Sequence, residues 1–260
     1  MPLTTEYDTK FRLLGVPVRI NPFFWAAAAF MGWDGHTPLE ILIWVVCVFI
    51  SILIHEFGHA LTTRKAFGNK PSVILYYMGG LCFSNGEENH PWKRALVIAM
   101  GPGAGFLLFG LVLVPGLLIL NFADLPFYGL YERPEHFPPD WFNHLPKTVN
   151  HSIQIAYSDL LYINLFWGLV NLLPLYPLDG GQLAEVFLTM HNRYEGKVRT
   201  HAVSLVTAGL LAVYLLSKEQ YPNALFVAGL GAMNFQLYQA ARYQKGSYSQ
   251  FDDNDDWWRK

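Results

Sequence analysis

Leu39-Glu40-Ile41-Leu42-Ile43-Trp44-Val45-Val46-Cys47-Val48-Phe49-Ile50-Ser51-Ile52-Leu53-Ile54-His55-Glu56-Phe57-Gly58-His59-Ala60-Leu61-Thr62-Thr63 is an apolar run broken near its end by two histidines and a glutamate. A membrane-spanning helix needs around 20 mainly apolar residues, and this run supplies them. As a helix it sets His55 and His59 one turn apart on one face, where both imidazoles can reach a single metal ion. Glu56 falls on the adjacent flank. Zinc lowers the pKa of a bound water toward neutrality, and a carboxylate beside the first ligand is placed to take the proton as that water attacks a carbonyl. The pattern His-Glu-x-x-His is therefore the grammar of metal-assisted peptide hydrolysis. Its competing reading is a helix whose histidines are merely hydrogen-bonded.

Composition says which solvent surrounds that helix. Of the 260 residues, 52% are hydrophobic and only 15% charged, with a positive mean hydropathy. That balance suits a bilayer better than water. A net charge of -2 gives no sign of a nucleic-acid partner. The two cysteines, Cys47 and Cys82, suggest packed thiols rather than a disulfide framework or zinc ligands. Lys10, Arg12 and Arg19 precede an apolar stretch without a small-x-small exit, so no cleavable signal peptide is expected.

Along the chain, residues 1–19 read as a polar arm, with Gly15-Val16-Pro17-Val18-Arg19 extended rather than helical. The expected fold is an α-helical polytopic membrane protein of about six spans. They are centred on Asn21 to Trp33, Leu39 to Thr63, Pro91 to Leu120, Ile153 to Leu173, Val198 to Leu216 and Pro222 to Ala241. After the second, Val73 to Tyr77 and Leu81 to Phe83 read as a small β-hairpin turning at Gly79-Gly80. Gly101-Pro102-Gly103-Ala104-Gly105, inside the third, invites close approach by a neighbouring helix. Residues 121–150 read as an ordered outer loop, and its histidines, His136 and His144, with the adjacent His151, as solvated. A single membrane-embedded domain over 1–245 and a polar, mobile tail over 246–260 complete the expected organisation.

Basic residues orient the chain. With about six spans, only Arg133, Lys147 and Lys218 fall on one side, and the other 15 of the 18 Lys and Arg on the opposite side. By the positive-inside rule both termini are then cytoplasmic. At 1.5 Å per residue, His59 and His55 lie about 6 Å and about 12 Å below the cytoplasmic end of their span. The fourth span returns to the same side and delivers Asn171-Leu172-Leu173-Pro174-Leu175-Tyr176-Pro177-Leu178-Asp179-Gly180-Gly181 to that depth. Two histidines leave a catalytic zinc one protein ligand short. Asp179, an acid among apolar and small neighbours, is the best third candidate, with a helix cap at Gly180 as its other reading.

His55-Glu56-x-Gly58-His59-Ala60-Leu61, with Asn171-x-x-Pro174-x-x-Pro177-Leu178-Asp179-Gly180-Gly181 downstream, resembles the site-2 protease family of intramembrane zinc metalloproteases. The resemblance implies one zinc per chain held by His55, His59 and Asp179, with Glu56 as catalytic base and Asn171 supporting the oxyanion. It further implies that the Gly79-Gly80 hairpin receives a membrane-protein substrate as an added strand. Two positions depart from the family's pattern: Asn21 stands where relatives often have His, and Gly105 where many have Asn. The expected function is hydrolysis of peptide bonds in or near transmembrane segments. The alternative is a zinc-binding membrane protein that binds transmembrane helices without cutting them, in which Glu56 would have no use.

Overall fold

The computed structural model describes residues 5–33, 37–77, 79–86, 90–120 and 146–252. The outer loop expected over 121–150 falls almost wholly outside them, as does the end of the tail. The chain divides into two compact units, Met1–Glu88 with Ala99–Leu169, and Asn89–Ile98 with Val170–Lys260.

The first unit opens with a hairpin. Strand β1 (Thr9–Leu13) turns through Leu14 and Gly15, both at positive φ, into β2 (Val16–Ile20). Two successive left-handed residues make the turn whose twist suits an antiparallel pair, and Gly15 takes the more extreme angle. The extended piece expected over Gly15 to Arg19 is thus β2, and β1 is an additional strand. Helices α1 (Pro22–Met31) and α2 (Pro38–Phe67) then carry the chain to β3 (Pro71–Tyr76), which pairs with β2 in parallel. Strand β4 (Gly79–Ser84) returns antiparallel and ends the sheet, whose order is β1-β2-β3-β4. The expected hairpin is present. However, Gly79 and Gly80 are the first residues of its second strand, Gly79 pairing with Tyr76 and Gly80 with Leu75.

Alternation decides which sheet face is buried. Val16, Val18 and Ile20 of β2 and Val73 and Leu75 of β3 point inward, against Phe24 and Ala28 of α1 and Cys47, Val48, Ile52, Phe57 and Ala60 of α2. Asn21 locks the junction of sheet and helix. Its N–H donates to the Leu75 carbonyl at 2.9 Å, its Oδ1 accepts from the Phe23 N–H at 3.0 Å, and its Nδ2 donates to Asp8 at 3.2 Å. It is the N-cap of α1, which explains a polar residue 1% exposed at this place. Helix α1 stops after ten residues, where Trp44 Nε1 donates to the Ala28 carbonyl at 3.0 Å. At about 15 Å it is half the length of a hydrocarbon core.

Helix α2 starts at a capping box, Thr37 accepting from the Glu40 N–H and Glu40 accepting from the Thr37 N–H. It stops at Gly68, in the left-handed region at φ 71°. Helix α3 (Pro91–Leu120) gives its first residues to the second unit and the remainder to the first, and α4 (Lys147–Asn171) ends at the start of the second. The second unit adds α5 (Asp179–Thr189), α6 (Arg193–Ser217) and α7 (Tyr221–Asp252). Its core joins Leu175 to Ala208 of α6 and Val227 of α7. Helix α7 continues to Asp252, so the segment read as tail from 246 is helical for its first part.

Among the described residues, four helices are long and apolar enough to cross a membrane: Pro38–Phe67, Pro91–Gly116, His151–Asn171 and Arg193–Ser217. Helix α7 has the length, but Asn223, Asn234, Gln236 and Gln239 keep it out of that set. Leu39, Leu42, Val46 and Ile50 lie exposed along one face of α2, as do Val203, Val206, Leu210 and Val213 along α6. Stripes this apolar are stable against lipid and unstable against water. The protein is a helical, polytopic membrane protein carrying a small sheet.

Candidate metal centre

His55, Glu56, Phe57, Gly58, His59 and Ala60 are consecutive and all buried, so α2 is enclosed on every side at this level. Nothing in the propensity of these residues demands that; neighbouring backbone that comes unusually close does. Gly58 faces α3, where an added Cβ would strike the Met100 carbonyl and stand 2.9 Å from the Ala104 Cβ. Gly101 of α3 lies against His59, and a Cβ there would collide with Nε2. Gly80 of β4 lies against Glu56, and a Cβ there would stand 2.5 Å from the carboxyl carbon and from Oε1. The small residues expected to admit a neighbouring helix do so at Gly101 and Ala104, and they bring α3 to the histidine pair.

Within that enclosure the Nε2 atoms of His55 and His59 are 3.3 Å apart. Two nitrogens each bound about 2.0–2.1 Å from a tetrahedral zinc stand about 3.3–3.4 Å from one another, so the pair already has the spacing of one tetrahedral edge. The same spacing lets one proton bridge the two rings, which are tilted 78° to each other. His55 is 4%, Glu56 5% and His59 9% exposed, so neither a charge nor an ion here is shared with bulk water. The residues fit a zinc ion in donor type, spacing and seclusion.

Asn171 and Asp179 belong to the second unit, at either end of the turn formed by residues 172–178. Both are buried. Asp179 is the first residue of α5, and the N-cap is Leu178, which offers no side-chain bond. The capping role that its sequence position allowed is therefore not the one it has. The two glycines after it are required sterically. A Cβ on Gly180 would strike the Leu172 and Leu173 carbonyls, and one on Gly181 would strike the Tyr176 nitrogen. The chain doubles back on its own helix start, and only glycine leaves room.

The residues 43–215 match the model of peptidase family M50. The chain belongs to peptidase family M50. Relatives of known name agree with that. A Synechocystis protein, named provisionally as a zinc metalloprotease, is 28% identical over 66% of this chain and 42% of its own length. Rip3 of Mycobacterium tuberculosis, named in the same provisional way, is 27% identical over 86% of this chain and 52% of its own. The chain thus spans about half the length of these curated relatives. Stage IV sporulation protein FB of Bacillus subtilis is 24% identical over 90% of this chain and 70% of its own. Among solved structures, the site-2 protease of Methanocaldococcus jannaschii superposes with a TM-score of 0.52, covering 91% of this chain and 94% of that one at 17% identity. At that identity the likeness speaks for the fold alone, which this chain shares with that protein.

Two polar groupings inside the M50 fold escaped sequence reasoning. Asn164 of α4 donates to Ser51 Oγ of α2 at 2.9 Å, a buried tie between spans. His201, Ser204 and Asn234 gather around Tyr176. The signal available for both was a hydrogen-bonding side chain inside an apolar run, which is costly unless it is partnered.

Proposed function

We propose that this chain is an intramembrane zinc metalloendopeptidase that hydrolyses peptide bonds in or near transmembrane segments of membrane-protein substrates. The observation that carries the reading is the buried His55–His59 pair at 3.3 Å with Glu56 between them in sequence. Family membership and the name zinc metalloprotease borne by relatives support it. His55, His59 and Asp179, all buried, are the proposed ligands of one zinc per chain. When bound, zinc supplies Lewis-acid polarisation of the scissile carbonyl and of the attacking water. Glu56 takes the proton released by that water and returns it to the leaving amine. Asn171 donates its amide N–H to the oxygen on which negative charge develops.

Substrate arrives as an extended segment paired to β4, one of the two end strands of the sheet, near Gly79 and Gly80. Because Gly80 abuts Glu56, a strand laid on β4 has its backbone brought to the base. A helical substrate must first unwind, since its peptide bonds are otherwise closed by their own hydrogen bonds. The excess of Lys and Arg on one side of the spans supports placing both termini in the cytoplasm. A helix-binding protein that only held zinc would leave Glu56 without a task.

The deciding experiment is Glu56→Gln, purified in bilayers with a single-pass substrate. The amide cannot take the proton, so cleavage should fall by about 10²-fold or more while zinc stays and substrate co-purifies. Undiminished cleavage with zinc bound removes Glu56 as the base. Absence of cleavage by the unaltered protein against every membrane helix tried removes the protease reading.

A further inference from the structure

Helix α5 has no side chain at its N-cap to hold its first turn, yet its first residue is Asp179. The turn before it is held from outside. Tyr176 N–H donates to Ser204 Oγ at 3.0 Å, and the Tyr176 carbonyl accepts from Asn234 Nδ2 at 2.5 Å. Both polar groups of one peptide residue are thus taken by side chains of two different helices, α6 and α7. Asn234 Nδ2 also donates to the Leu230 carbonyl at 2.9 Å, and Asn234 Oδ1 lies 3.0 Å from His201 Nδ1. The two carbonyls require the amide's NH2 on their side, so its oxygen faces His201, and His201 must carry its hydrogen on Nδ1. His201 and Ser204 are three residues apart and share a face of α6, and the His201 ring stands edge-on to Tyr176 at 5.3 Å. Ser204 and Asn234 are fully buried.

These bonds reach Asp179 through close backbone contact and one side chain, that of Gln182. The Tyr176 nitrogen lies where a Gly181 side chain would go, and the Leu172 and Leu173 carbonyls where a Gly180 side chain would go. Gln182 Nε2 donates to the Pro177 carbonyl, and the Gln182 N–H to the Leu178 carbonyl, binding the turn to the helix start. A shift of Tyr176 is therefore a shift of the first turn of α5. A histidine and a serine inside the apolar α6 and a fully buried asparagine in α7 are expensive to maintain unless partnered, and here all three serve one turn.

We infer that His201, Ser204 and Asn234 are positioning residues, which fix the Pro174–Gly181 turn so that Asp179 is held where a zinc ligand is needed. The inference rests on the ligand role proposed above for Asp179. It assigns to α6 and α7 a function in metal retention that neither carries by sequence motif.

The test uses full-length protein in bilayers, read by zinc content, rate of zinc loss to a chelator, thermal midpoint, and kcat and KM on a single-pass substrate. Asn234→Ala should still bind zinc but lose it to chelator about tenfold faster, and kcat should fall about tenfold or more with KM little changed, as for other groups that orient ligands from behind. Ser204→Ala should do the same more mildly, and serves if Asn234→Ala does not fold. His201→Gln, whose amide can still donate to Asn234, should keep more kcat and slower zinc loss than His201→Leu. Equal zinc retention and kcat in Asn234→Ala and the unaltered protein overturn the inference, as does a parallel fall of midpoint, kcat and KM without faster zinc loss. Failure of the unaltered protein to bind zinc or cleave would instead strike the proposed function.

Discussion

At the scale of single residues, Gly80 and Gly101 leave the space that Glu56 and His59 occupy. Gly101→Ala puts a methyl group onto His59 Nε2, so zinc affinity should fall by about tenfold or more, measured by competition with a chelator. Gly110→Ala, in the same helix with open space around it, should leave zinc unchanged. Since Ala stabilises a helix interior by about 1 kcal/mol over Gly, a loss confined to Gly101→Ala cannot be charged to helix propensity. Gly80→Ala touches the carboxylate and not the imidazoles. It should lower kcat by up to about 10²-fold with zinc content intact, the cost of a base displaced by about an ångström. His55, Glu56 and His59 were legible because one helical period carries all their information. The glycines were not, because a glycine's sequence does not say which side chain fills the space it leaves. Gly79 and Gly80 were accordingly read as a turn when they begin a strand.

At the scale of elements, the amino-terminal arm shows how pairing hides from sequence. Thr9-Lys10-Phe11-Arg12-Leu13 alternates charge with apolar residues, yet its partner, β2, is what makes it a strand. Its anchor is Asp8, which accepts from Thr5 Oγ1 at 2.6 Å and lies 3.6 Å from Arg19 Nε. The Thr5 hydroxyl first, then the Thr5 backbone and Arg19, hold the Asp8 carboxyl below its ordinary value of 3.8, against the opposing pull of burial. A depressed folded-state pKa gives stability that is present above 3.8 and lost as pH falls through the lower, folded value. Acidification should therefore loosen the arm, and Asp8→Asn should flatten that acid-side decline when proteolysis of the arm is followed against pH. Asn21→Ala removes the N-cap of α1 and should cost about 1 kcal/mol, read as a lower thermal midpoint. Helix α1 was expected as a span because its residues are apolar. Gly32 ends it against the Trp44 ring, a contact that no local pattern announces.

At the scale of the whole molecule, span number was harder to read than span identity. Four helices satisfy length and apolarity together, whereas α1 has only the second and α7 only the first. The orientation proposed from basic residues is tested by reporters. Fusions near Asn69 and after Lys260 should read cytoplasmic, and one between Glu132 and Asp140 extracytoplasmic. A cytoplasmic reading at Glu135 would overturn that orientation. The placement of β4 at the margin of the sheet bears on choice among substrates. A strand edge offers the same ladder of N–H and C=O groups to every peptide, whatever side chains it carries. If substrate adds to β4 as proposed, discrimination passes from lock-and-key matching to mechanics. Two membrane proteins unlike in sequence but equally easy to unravel near the same depth should compete as equals, while a stiff polyleucine helix bearing a perfect copy of a cleaved site should be ignored until a glycine or proline is written into it.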